Sequence, residues 1–326
     1  MTNKSDLRIV YMGTPDFAVE PLRQLVERGY RVVAVVTMPD KPIGRHQSVL
    51  SASPVKQYAL SVGLPVLQPD KLRDPSFLEE LRAFHADLQI VVAFRMLPEV
   101  VWNMPRLGTF NLHAALLPQY RGAAPINWAI INGEEKTGLT TFFLDHDIDT
   151  GRIILQKEIP ILPSDNAEDV HDRLMMAGGD FVAQTVDLIL RGEAEAVPQE
   201  QFMQPGIVLH HAPKIFKETC RIDWTMPARR IYNFVRGLSP YPAAHTVLRC
   251  GLKDIPVKLY TTQLEETAPA EPAGSVLTDG KSFLKVATEG GYIHLIELQP
   301  AGKKRMLTAD FLRGCHAQTD WSLAAE

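Results

Sequence analysis

Short apolar runs alternate with helical segments along the first part of this chain, and this alternation constrains the fold more than any other feature. Four runs are predicted to be strands: Leu7–Met12, Arg31–Thr37, Asp87–Ala93 and Thr109–His113. Helices are predicted at Asp16–Arg28 (with Asp16 as N-cap), Pro54–Ser61, Pro75–Phe84 and Pro125–Ile131. The unbroken Val and Ala centre of the second run is typical of a strand buried on both faces. The pattern predicts an α/β fold with a doubly wound, Rossmann-like parallel sheet.

The pattern changes in the second part of the chain. Residues 139–144 and 153–158 are predicted to form a strand pair beside the sheet, and Asn166–Leu190 a long amphipathic helix. Residues 192–205, which are acidic and contain two prolines, have the composition of an interdomain linker. Short alternating runs and an Asp279-Gly280 hairpin turn then predict a small, OB-like β-barrel. The alternating runs are Val257–Thr261, Gly274–Leu277, Phe283–Ala287 and Tyr292–Leu298. The predicted organisation is a first domain at 1–192, a linker at 193–206 and a barrel domain at 207–326.

The composition fits two ordinary globular domains. The 326 residues are 45% hydrophobic and 22% charged, which excludes disordered, collagen-like and coiled-coil chains. Cys220, Cys250 and Cys315 fit neither a disulfide framework nor a CxxC metal pair, so we expect a reducing compartment and no metal site. No apolar run reaches the length of a membrane span, and the polar start of the chain does not resemble a signal peptide. We expect a cytoplasmic monomer without membrane contacts.

The net charge of −4 hides an asymmetry. The sequence before Ile207 has 19 basic and 26 acidic residues, a net −7, whereas from Ile207 onward there are 15 basic and 12 acidic residues, a net +3. Eight basic and only two acidic residues lie between Ile207 and Lys253. Such a segment can attract a polyanion such as nucleic acid, or it can be a solvated surface whose charges balance elsewhere in the fold.

Three familiar ligand-binding motifs are incomplete. Residues 13–18 follow the first strand, where a dinucleotide site needs GxGxxG, but only the first glycine is present. Residues 280–282 lack the upstream glycine of a phosphate loop. The aspartates of 145–149 lack the glycine and the glutamate of a calcium loop. We therefore expect no nicotinamide cofactor, no phosphate loop and no calcium loop.

Polar side chains cluster where an open α/β sheet binds its ligands, at the carboxyl ends of the strands. Asn111 and His113 end the fourth predicted strand and, being two residues apart, point to the same face. Two loops can add to this site: the small-residue loop 114–125 and the acidic loop 145–151, in which Gly151 permits an unusual backbone turn. Asn and His at a strand end can also simply cap loop backbone, and loop aspartates can serve Asx turns.

This combination of side chains suits acyl transfer to an amine. An amine that attacks a formyl carbon creates an oxyanion and a cationic nitrogen. Asn111 and a protonated His113 could donate hydrogen bonds to the oxyanion, and the loss of one such donor typically costs about 10²–10³ in rate. A nearby carboxylate could orient the imidazole and receive the amine proton, directly or through water. Since the amine is itself the nucleophile, no catalytic serine or cysteine is needed.

Several motifs occur together along the chain. They are Gly13–Ala18, Pro39–Arg45, Ser53–Lys56, Asn111–His113, Leu116–Pro118, Arg121–Ile126, Asp149–Gly151, Ile222–Trp224 and Leu298–Lys304. The Asn-x-His and Asp-Thr-Gly motifs are typical of folate-dependent formyltransferases as a group. The first motif and the C-terminal half are typical of the tRNA enzymes among them. By these motifs the chain resembles the methionyl-tRNA formyltransferase family over essentially its whole length.

The resemblance implies an activity and a set of site residues. The formyl donor would be 10-formyltetrahydrofolate, and the acceptor would be the amino group of methionine on initiator tRNA. The catalytic residues would be Asn111, His113 and Asp149. The folate would be bound by Phe94, Arg95, Met96, Leu97, Ala115, Leu116, Leu117, Pro118 and Asp145. The tRNA would be bound by Lys41, Arg45, Lys303, Lys304 and Arg305.

The chain departs from the family pattern in three places. The family's basic loop often continues Gly-Arg-Gly-Lys-Lys, but residues 44–48 are Gly-Arg-His-Gln-Ser, which predicts a weaker or differently placed grip on the tRNA. Asp147 replaces a glycine two residues before Asp149, and Arg95 stands where the tRNA enzymes often have glycine. Two alternatives stay open: a folate-dependent formyltransferase for a small amine, such as a sugar nucleotide or glycinamide ribonucleotide, and a catalytically silent RNA-binding module.

Overall fold

The structure, a computed structural model, describes residues 4–43, 49–203, 206–315 and 320–324. Arg45, together with the neighbouring residues His46, Gln47 and Ser48, lies outside the described residues. By its packing the chain divides into two compact units. The first comprises Met1–Gly122, Thr137–Ile159 and His171–His211, and the second comprises Ala123–Lys136, Pro160–Val170 and Ala212–Glu326.

The first unit contains a large sheet whose strands alternate with helices. The strands up to residue 160 are β1 Arg8–Gly13, β2 Arg31–Val36, β3 Lys41–Ile43, β4 Val49–Ser51, β5 Val66–Leu67, β6 Leu88–Val92, β7 Thr109–His113, β8 Arg121–Gly122, β9 Lys136–Phe143 and β10 Ile153–Pro160. The helices up to residue 191 are α1 Val19–Glu27, α2 Pro54–Ser61, α3 Pro75–Ala83, α4 Glu99–Trp102, α5 Pro125–Ile131 and α6 Ala167–Arg191, of which α5 belongs to the second unit. Short 3-10 turns occupy Asp16–Ala18 and Gln199–Phe202. The sheet has the order β10-β9-β7-β6-β1-β2-β5, in which the strands from β5 to β7 are parallel and β9 is antiparallel to β7. The predicted parallel sheet with a strand pair beside it is confirmed.

Helices cover both faces of this sheet. On one face α3 packs in a core with Val10 and Met12 of β1. On the other face the buried Tyr11 donates a hydrogen bond to the carbonyl of Ala18, immediately before α1 (2.6 Å). Because successive residues of a strand point to opposite faces, these contacts confirm the doubly wound arrangement.

The starts of α2 and α3 agree with the prediction because their caps are local. Ser53 and Asp74 accept hydrogen bonds from the backbone N–H groups of Lys56 (3.1 Å) and Ser76 (3.0 Å), and a proline follows each cap. The predicted N-cap at Asp16 was wrong. This residue begins a 3-10 turn that precedes α1, and its carboxylate accepts from the backbone N–H of the next residue (2.9 Å) instead of capping the α-helix.

The second unit contains the predicted antiparallel barrel. Its strands are β12 Ala244–Cys250, β13 Lys253–Glu265, β14 Val276–Thr278, β15 Leu284–Thr288, β16 Gly291–Pro300, β17 Met306–Leu307 and β18 Trp321–Leu323, preceded by the short β11 His211–Ala212. The helices are α7 Ala228–Leu238 and α8 Thr308–Arg313. The strand order is β14-β15-β16-β13-β12-β18, with β17 paired to β16, and β14 lies beside β18. The sheet is therefore nearly closed.

The core of the barrel unit includes a residue from outside the predicted barrel domain at 207–326. Trp224 and Trp321 are buried there, together with Ile231 and Val235 of α7. Ile131 of α5 belongs to the same core. The packing division consequently differs from the sequence-based boundaries at 192 and 207, because apolar contacts place α5 with the barrel. No helix in the described ranges is long and apolar enough to cross a membrane.

Candidate active site

Asn111 and His113 lie on one face of β7 at its carboxyl end, between β6 and β9. In the pairing of β7 with β9, Asn111 is opposite Phe142 and His113 is opposite Thr140. His113 is buried, with its ring edge-on to that of Phe142 (6.5 Å between centroids). Asn111 is half-buried, and its side-chain amide has no hydrogen-bond partner among the described residues. The amide is therefore free to bind a ligand.

The two ring nitrogens of His113 have different partners. Nε2 lies 2.9 Å from the backbone carbonyl oxygen of Tyr120. Because a carbonyl only accepts, Nε2 carries the hydrogen of this bond. Nδ1 lies 3.9 Å from Oδ2 of Asp149, a distance that a water molecule or a small movement can bridge. Of the two nitrogens, Nδ1 is the one available to a ligand: it can accept a proton when the ring is neutral, and it can donate a hydrogen bond to an oxyanion only when the ring is protonated.

Asp149 is held in an unusual conformation. Its φ is +54°, in the left-handed region that disfavours side chains with a Cβ. Its carboxylate Oδ2 accepts a hydrogen bond from the backbone N–H of Gly122 (2.9 Å), and Gly122 has a φ of +127°, which suits glycine. The prediction that Gly151 supplies the unusual turn was wrong, since Gly151 has no positive φ. Glycine is required there because a Cβ would overlap the carbonyl oxygen of Phe143.

Gln199 joins this site although the sequence analysis placed it in a linker. Its side chain is buried and donates hydrogen bonds from Nε2 to the carbonyls of Asp149 (2.9 Å) and Gly151 (2.8 Å). Its Oε1 accepts from Nε (3.1 Å) and Nη2 (2.6 Å) of Arg121. No motif or spacing in the sequence distinguishes this glutamine, so sequence reasoning missed it.

Three consecutive residues thus hold three groups of the site. The carbonyl of Tyr120 binds His113, the side chain of Arg121 binds Gln199, and the N–H of Gly122 binds Asp149. This loop was expected to add to the site, but these three contacts were not predicted. No group of three or more His, Cys, Asp or Glu residues is arranged to hold a metal ion in the described part of the chain.

The segment Ala115–Pro118 is fixed by polar side chains of β9 and β10. Thr140 donates to the carbonyl of Ala115 (2.6 Å) and accepts from the N–H of Leu117 (3.1 Å). Gln156 donates to the carbonyl of Leu117 (2.6 Å). Ala115, Leu117 and Pro118 are buried, and Leu116 is half-buried. The segment therefore has a rigid backbone at the end of β7.

The other residues predicted to bind folate lie in two neighbouring loops, after β6 and after β9. Leu97 is buried in the core of the first unit, whereas Met96 is 75% exposed, and Phe94 is half-buried. The half-buried Arg95 donates hydrogen bonds to the carbonyls of Pro69 and Asp70. Asp145 is exposed, and its carboxylate accepts a hydrogen bond from the backbone N–H of the next residue, His146 (2.7 Å).

The residues predicted to bind tRNA differ in their surroundings. Lys41 is exposed on β3. Lys303 and Lys304 are exposed in the turn after β16 and have no ion-pair partner among the described residues. Arg305 instead donates to Glu297 (2.6 Å), which raises the pKa of its guanidinium, and it lies over the ring of Tyr260 (4.3 Å).

The second unit also contains a basic cavity of about 810 Å³. Lys214, Lys217, Lys258 and His245 line it, and none of the described lining residues is acidic. Burial, followed by the charges of Lys217, Arg221 and Lys258, lowers the pKa of His245. Residues 299–302 form part of the cavity wall, so Lys303 and Lys304 directly follow it in the chain. We call this surface the basic cavity.

Comparison with known proteins agrees with both units. The family model described as formyl transferase matches residues 7–186, and the model described as formyl transferase, C-terminal domain, matches residues 214–316. The fold is similar to that of HypX from Aquifex aeolicus in complex with tetrahydrofolic acid (TM-score 0.63, 18% identity, 98% of this chain and 51% of that chain). It is also similar to that of an N-formyltransferase from Helicobacter canadensis in complex with folinic acid and dTDP-3-aminofucose (TM-score 0.65, 19% identity, 90% and 99%).

Relatives of known name are much closer in sequence. A methionyl-tRNA formyltransferase from Parabacteroides distasonis is 65% identical over 315 residues, which cover 95% of this chain and 96% of the relative. One from Bacteroides fragilis is 58% identical over 323 residues, covering 99% of each. With both family models matched and relatives of this identity along nearly the whole chain, the chain belongs to the methionyl-tRNA formyltransferase family.

Proposed function

We propose that this chain transfers the formyl group of 10-formyltetrahydrofolate to the amino group of methionine on initiator tRNA, in the cytoplasm and as a monomer. The observation that carries the proposal is the unpaired amide of Asn111 beside a His113 ring whose Nδ1 faces Asp149 at 3.9 Å. The first unit would perform the chemistry, and the barrel unit would bind the RNA. The names of the relatives support the choice of acceptor.

Asn111 would stabilise the negative charge that develops on the formyl oxygen. When the amine lone pair attacks the formyl carbon, a C–N bond forms and the carbonyl electrons move to oxygen. The Asn111 side chain can donate an N–H to that oxygen without breaking another hydrogen bond, since it has no partner among the described residues. The amide is also uncharged, so its protonation state does not change with pH.

His113 would accept the proton of the attacking amine, and Asp149 would stabilise the charge that His113 then carries. Nδ1 of His113 can accept this proton, directly or through a water molecule, because Nε2 already carries the hydrogen bonded to Tyr120. The Asp149 carboxylate would stabilise the imidazolium that results. The electron pair on the oxyanion would then re-form the carbonyl as the bond between the formyl carbon and the folate nitrogen breaks, and the proton would pass to that departing nitrogen. This sequence conserves all protons and requires no metal or oxidant.

The surroundings of Asn111 suit a folate. Helix α4, which follows the loop after β6, contacts the loop after β9, since the ring of Trp102 in α4 lies edge-on to that of His146 (5.4 Å between centroids). Met96 in the first loop and Ile148 in the second expose apolar side chains (75% and 63%) that could cover a flat bicyclic ring. The fixed backbone of 115–118 offers polar groups at the same end of β7. Folate contacts by Phe94, Arg95, Leu97 and Asp145 are part of the proposal.

The basic cavity suits an RNA backbone. Lys214, Lys217 and Lys258 carry charges that no acidic lining residue neutralises, and phosphates release counterions when lysines bind them. Exposed aromatic side chains, Phe216 and Tyr241, lie beside or in the same surface and could stack on bases. We assign the tRNA contacts of the second unit to this cavity together with Lys303, Lys304 and Arg305, and those of the first unit to Lys41 and Arg45.

The test is a formyl-transfer assay with three acceptors. Purified protein is mixed with 10-formyltetrahydrofolate and methionyl initiator tRNA, methionyl elongator tRNA or an amino-sugar nucleotide. We expect transfer to the initiator tRNA far faster than to the other two. Transfer only to the sugar nucleotide would establish the small-amine alternative. Binding of RNA without any transfer would establish the silent RNA-binding alternative.

A further inference from the structure

We infer that Gln199 is a positioning residue for Asp149, and that Arg121 sets the orientation of Gln199. The inference rests on the proposed function, in which Asp149 acts on His113. Gln199 touches neither His113 nor the Asp149 carboxylate in the bonds described above, so any effect on the chemistry must pass through the backbone of 149–151.

The backbone of 149–151 needs an external constraint. Asp149 has a left-handed conformation that its side chain disfavours, so the loop would relax if nothing opposed it. Gln199 donates to the carbonyls at both ends of this short stretch, Asp149 and Gly151. Two bonds from one planar amide fix the distance and the tilt between those carbonyls. The direction in which the Asp149 side chain leaves the backbone is fixed with them.

Arg121 determines which way the Gln199 amide faces. Its guanidinium donates two hydrogen bonds to Oε1, and guanidinium nitrogens only donate. A flipped amide would point its NH₂ group at the guanidinium and its oxygen at the two carbonyls, which would remove four hydrogen bonds. The arginine therefore selects the one orientation that holds the loop. Arg121 is adjacent to Gly122, whose N–H binds the Asp149 carboxylate, so both contacts of Asp149 depend on the same short segment.

The segment that carries Gln199 is itself anchored to the sheet. Val197 exchanges two backbone hydrogen bonds with Ile153 of β10, each 2.8 Å long. The 3-10 turn Gln199–Phe202 follows directly, with Gln199 buried and Gln201 exposed. The anchor fixes the backbone beside residue 199 independently of the hydrogen bonds that the Gln199 side chain makes. A residue whose four bonds are all satisfied in a buried place is suited to hold a backbone in place.

The first variant to make is Gln199→Ala, with Gln201→Ala as a matched control on the same turn. Because a displaced catalytic group can cost about 10²-fold in rate, we expect kcat of Gln199→Ala to fall by roughly 10–100-fold. We expect KM for methionyl-tRNA and for the folate to change less than threefold, since Gln199 binds neither. Gln201→Ala should match the wild type. A fall confined to KM would overturn the inference, because it would indicate a role in binding.

A double-mutant cycle with Asp149→Asn separates positioning from general support of the fold. If Gln199 acts through Asp149, Gln199→Ala should change kcat less than twofold in the Asp149→Asn background, measured in single turnover. Additive losses in the cycle would overturn the inference. They would mean that Gln199 acts through some other group or through stability.

A third variant covers the case in which Gln199→Ala folds poorly. Gln199→Glu keeps an acceptor for Arg121 but loses the two donors to the loop, and its Tm reports the fold. We expect Gln199→Glu to lose as much kcat as Gln199→Ala; wild-type kcat would overturn the inference. If the wild-type protein itself transfers no formyl group, the proposed function fails instead, so the two failures are distinguishable.

Discussion

The candidate active site and the basic cavity use polar side chains in opposite ways. In the first, His113 and Asp149 are buried or nearly so, and each is tied to a backbone group of the loop 120–122. In the second, lysines project from an exposed surface without acidic partners. Formyl transfer needs a few groups at fixed positions, and rigidity supplies them. An RNA backbone needs many charges that can adapt to it, and ion pairing would neutralise them.

The largest effect should come from removing the unpaired donor of the fixed site. We expect Asn111→Ala to lower kcat by about 10²–10³, because the oxyanion would lose a donor that nothing else replaces. RNA affinity, measured by filter binding, should stay within twofold. If the variant turned over at the wild-type rate, Asn111 would have no part in the mechanism, and the active site would not depend on this fixed donor.

A backbone change should show how much the fixed site depends on rigidity. Gly122→Ala places a Cβ on a residue with a φ of +127°, so the N–H that binds Asp149 should shift and kcat should fall roughly tenfold or more. Gly63→Ala is the matched control, since Gly63 also has a positive φ (+72°) and has open space around it. It should lose stability by about 1–2 kcal/mol while keeping its kcat. Equal kcat losses in both would mean that stability alone is responsible.

Neutralising the basic cavity should weaken binding without touching the chemistry. For Lys217→Gln and Lys258→Gln we expect a lower affinity for tRNA and a salt dependence whose log–log slope falls by about one for each lysine. Lys285→Gln is the control, because Lys285 on the same barrel is paired with Glu265 (3.0 Å) and lies over Tyr292. Its slope should be that of the wild type. An unchanged slope in all three would place the RNA on another surface.

The same salt-dependence measurement can distinguish the contributions of Lys303, Lys304 and Arg305 to tRNA binding. Arg305 already pairs with Glu297 and packs on Tyr260, whereas Lys303 and Lys304 have no such partner among the described residues. We therefore expect Lys303→Gln and Lys304→Gln to change the slope more than Arg305→Gln does. A larger effect of Arg305→Gln would show that the ion pair opens when RNA binds.

The smallest expected effect is on how the free energy of unfolding depends on pH. The pKa of His245 in the folded protein lies below its ordinary value of 6.5, because of burial and the positive charges of Lys217, Arg221 and Lys258. As the pH falls below 6.5 the unfolded chain takes up a proton that the folded chain does not, so the free energy of unfolding decreases. Urea unfolding at pH 7.5 and pH 5.5 should show a smaller decrease for His245→Gln than for the wild type. A larger decrease in the variant would contradict the direction of the shift.

The parts of the fold that the sequence predicted are those specified locally. Ser53 and Asp74 begin helices through caps within three residues, and the alternation of apolar runs specifies the sheet. Asn111 and His113 could be proposed because they sit at the end of a recognisable strand. Helix α7 was not predicted, although Ile231, Val235 and Leu238 have helical spacing.

The parts that could not be predicted depend on contacts between distant segments. Gln199 is 50 residues from Asp149 in the chain and sits in a stretch whose composition is that of a linker. The positive φ of Asp149 is stabilised by Gly122, 27 residues away. In each case the residue type is ordinary, and only the fold brings the partner within reach.

Tyr120, Arg121 and Gly122 each hold one group of the site, and they are consecutive in the chain. The length of this segment is therefore constrained. Inserting or deleting a single amino acid there would displace the Tyr120 carbonyl, the Arg121 guanidinium and the Gly122 N–H together. A single substitution elsewhere would therefore not restore all three contacts. Protein engineers who wish to alter the acceptor should therefore leave this tripeptide and its spacing from His113 intact.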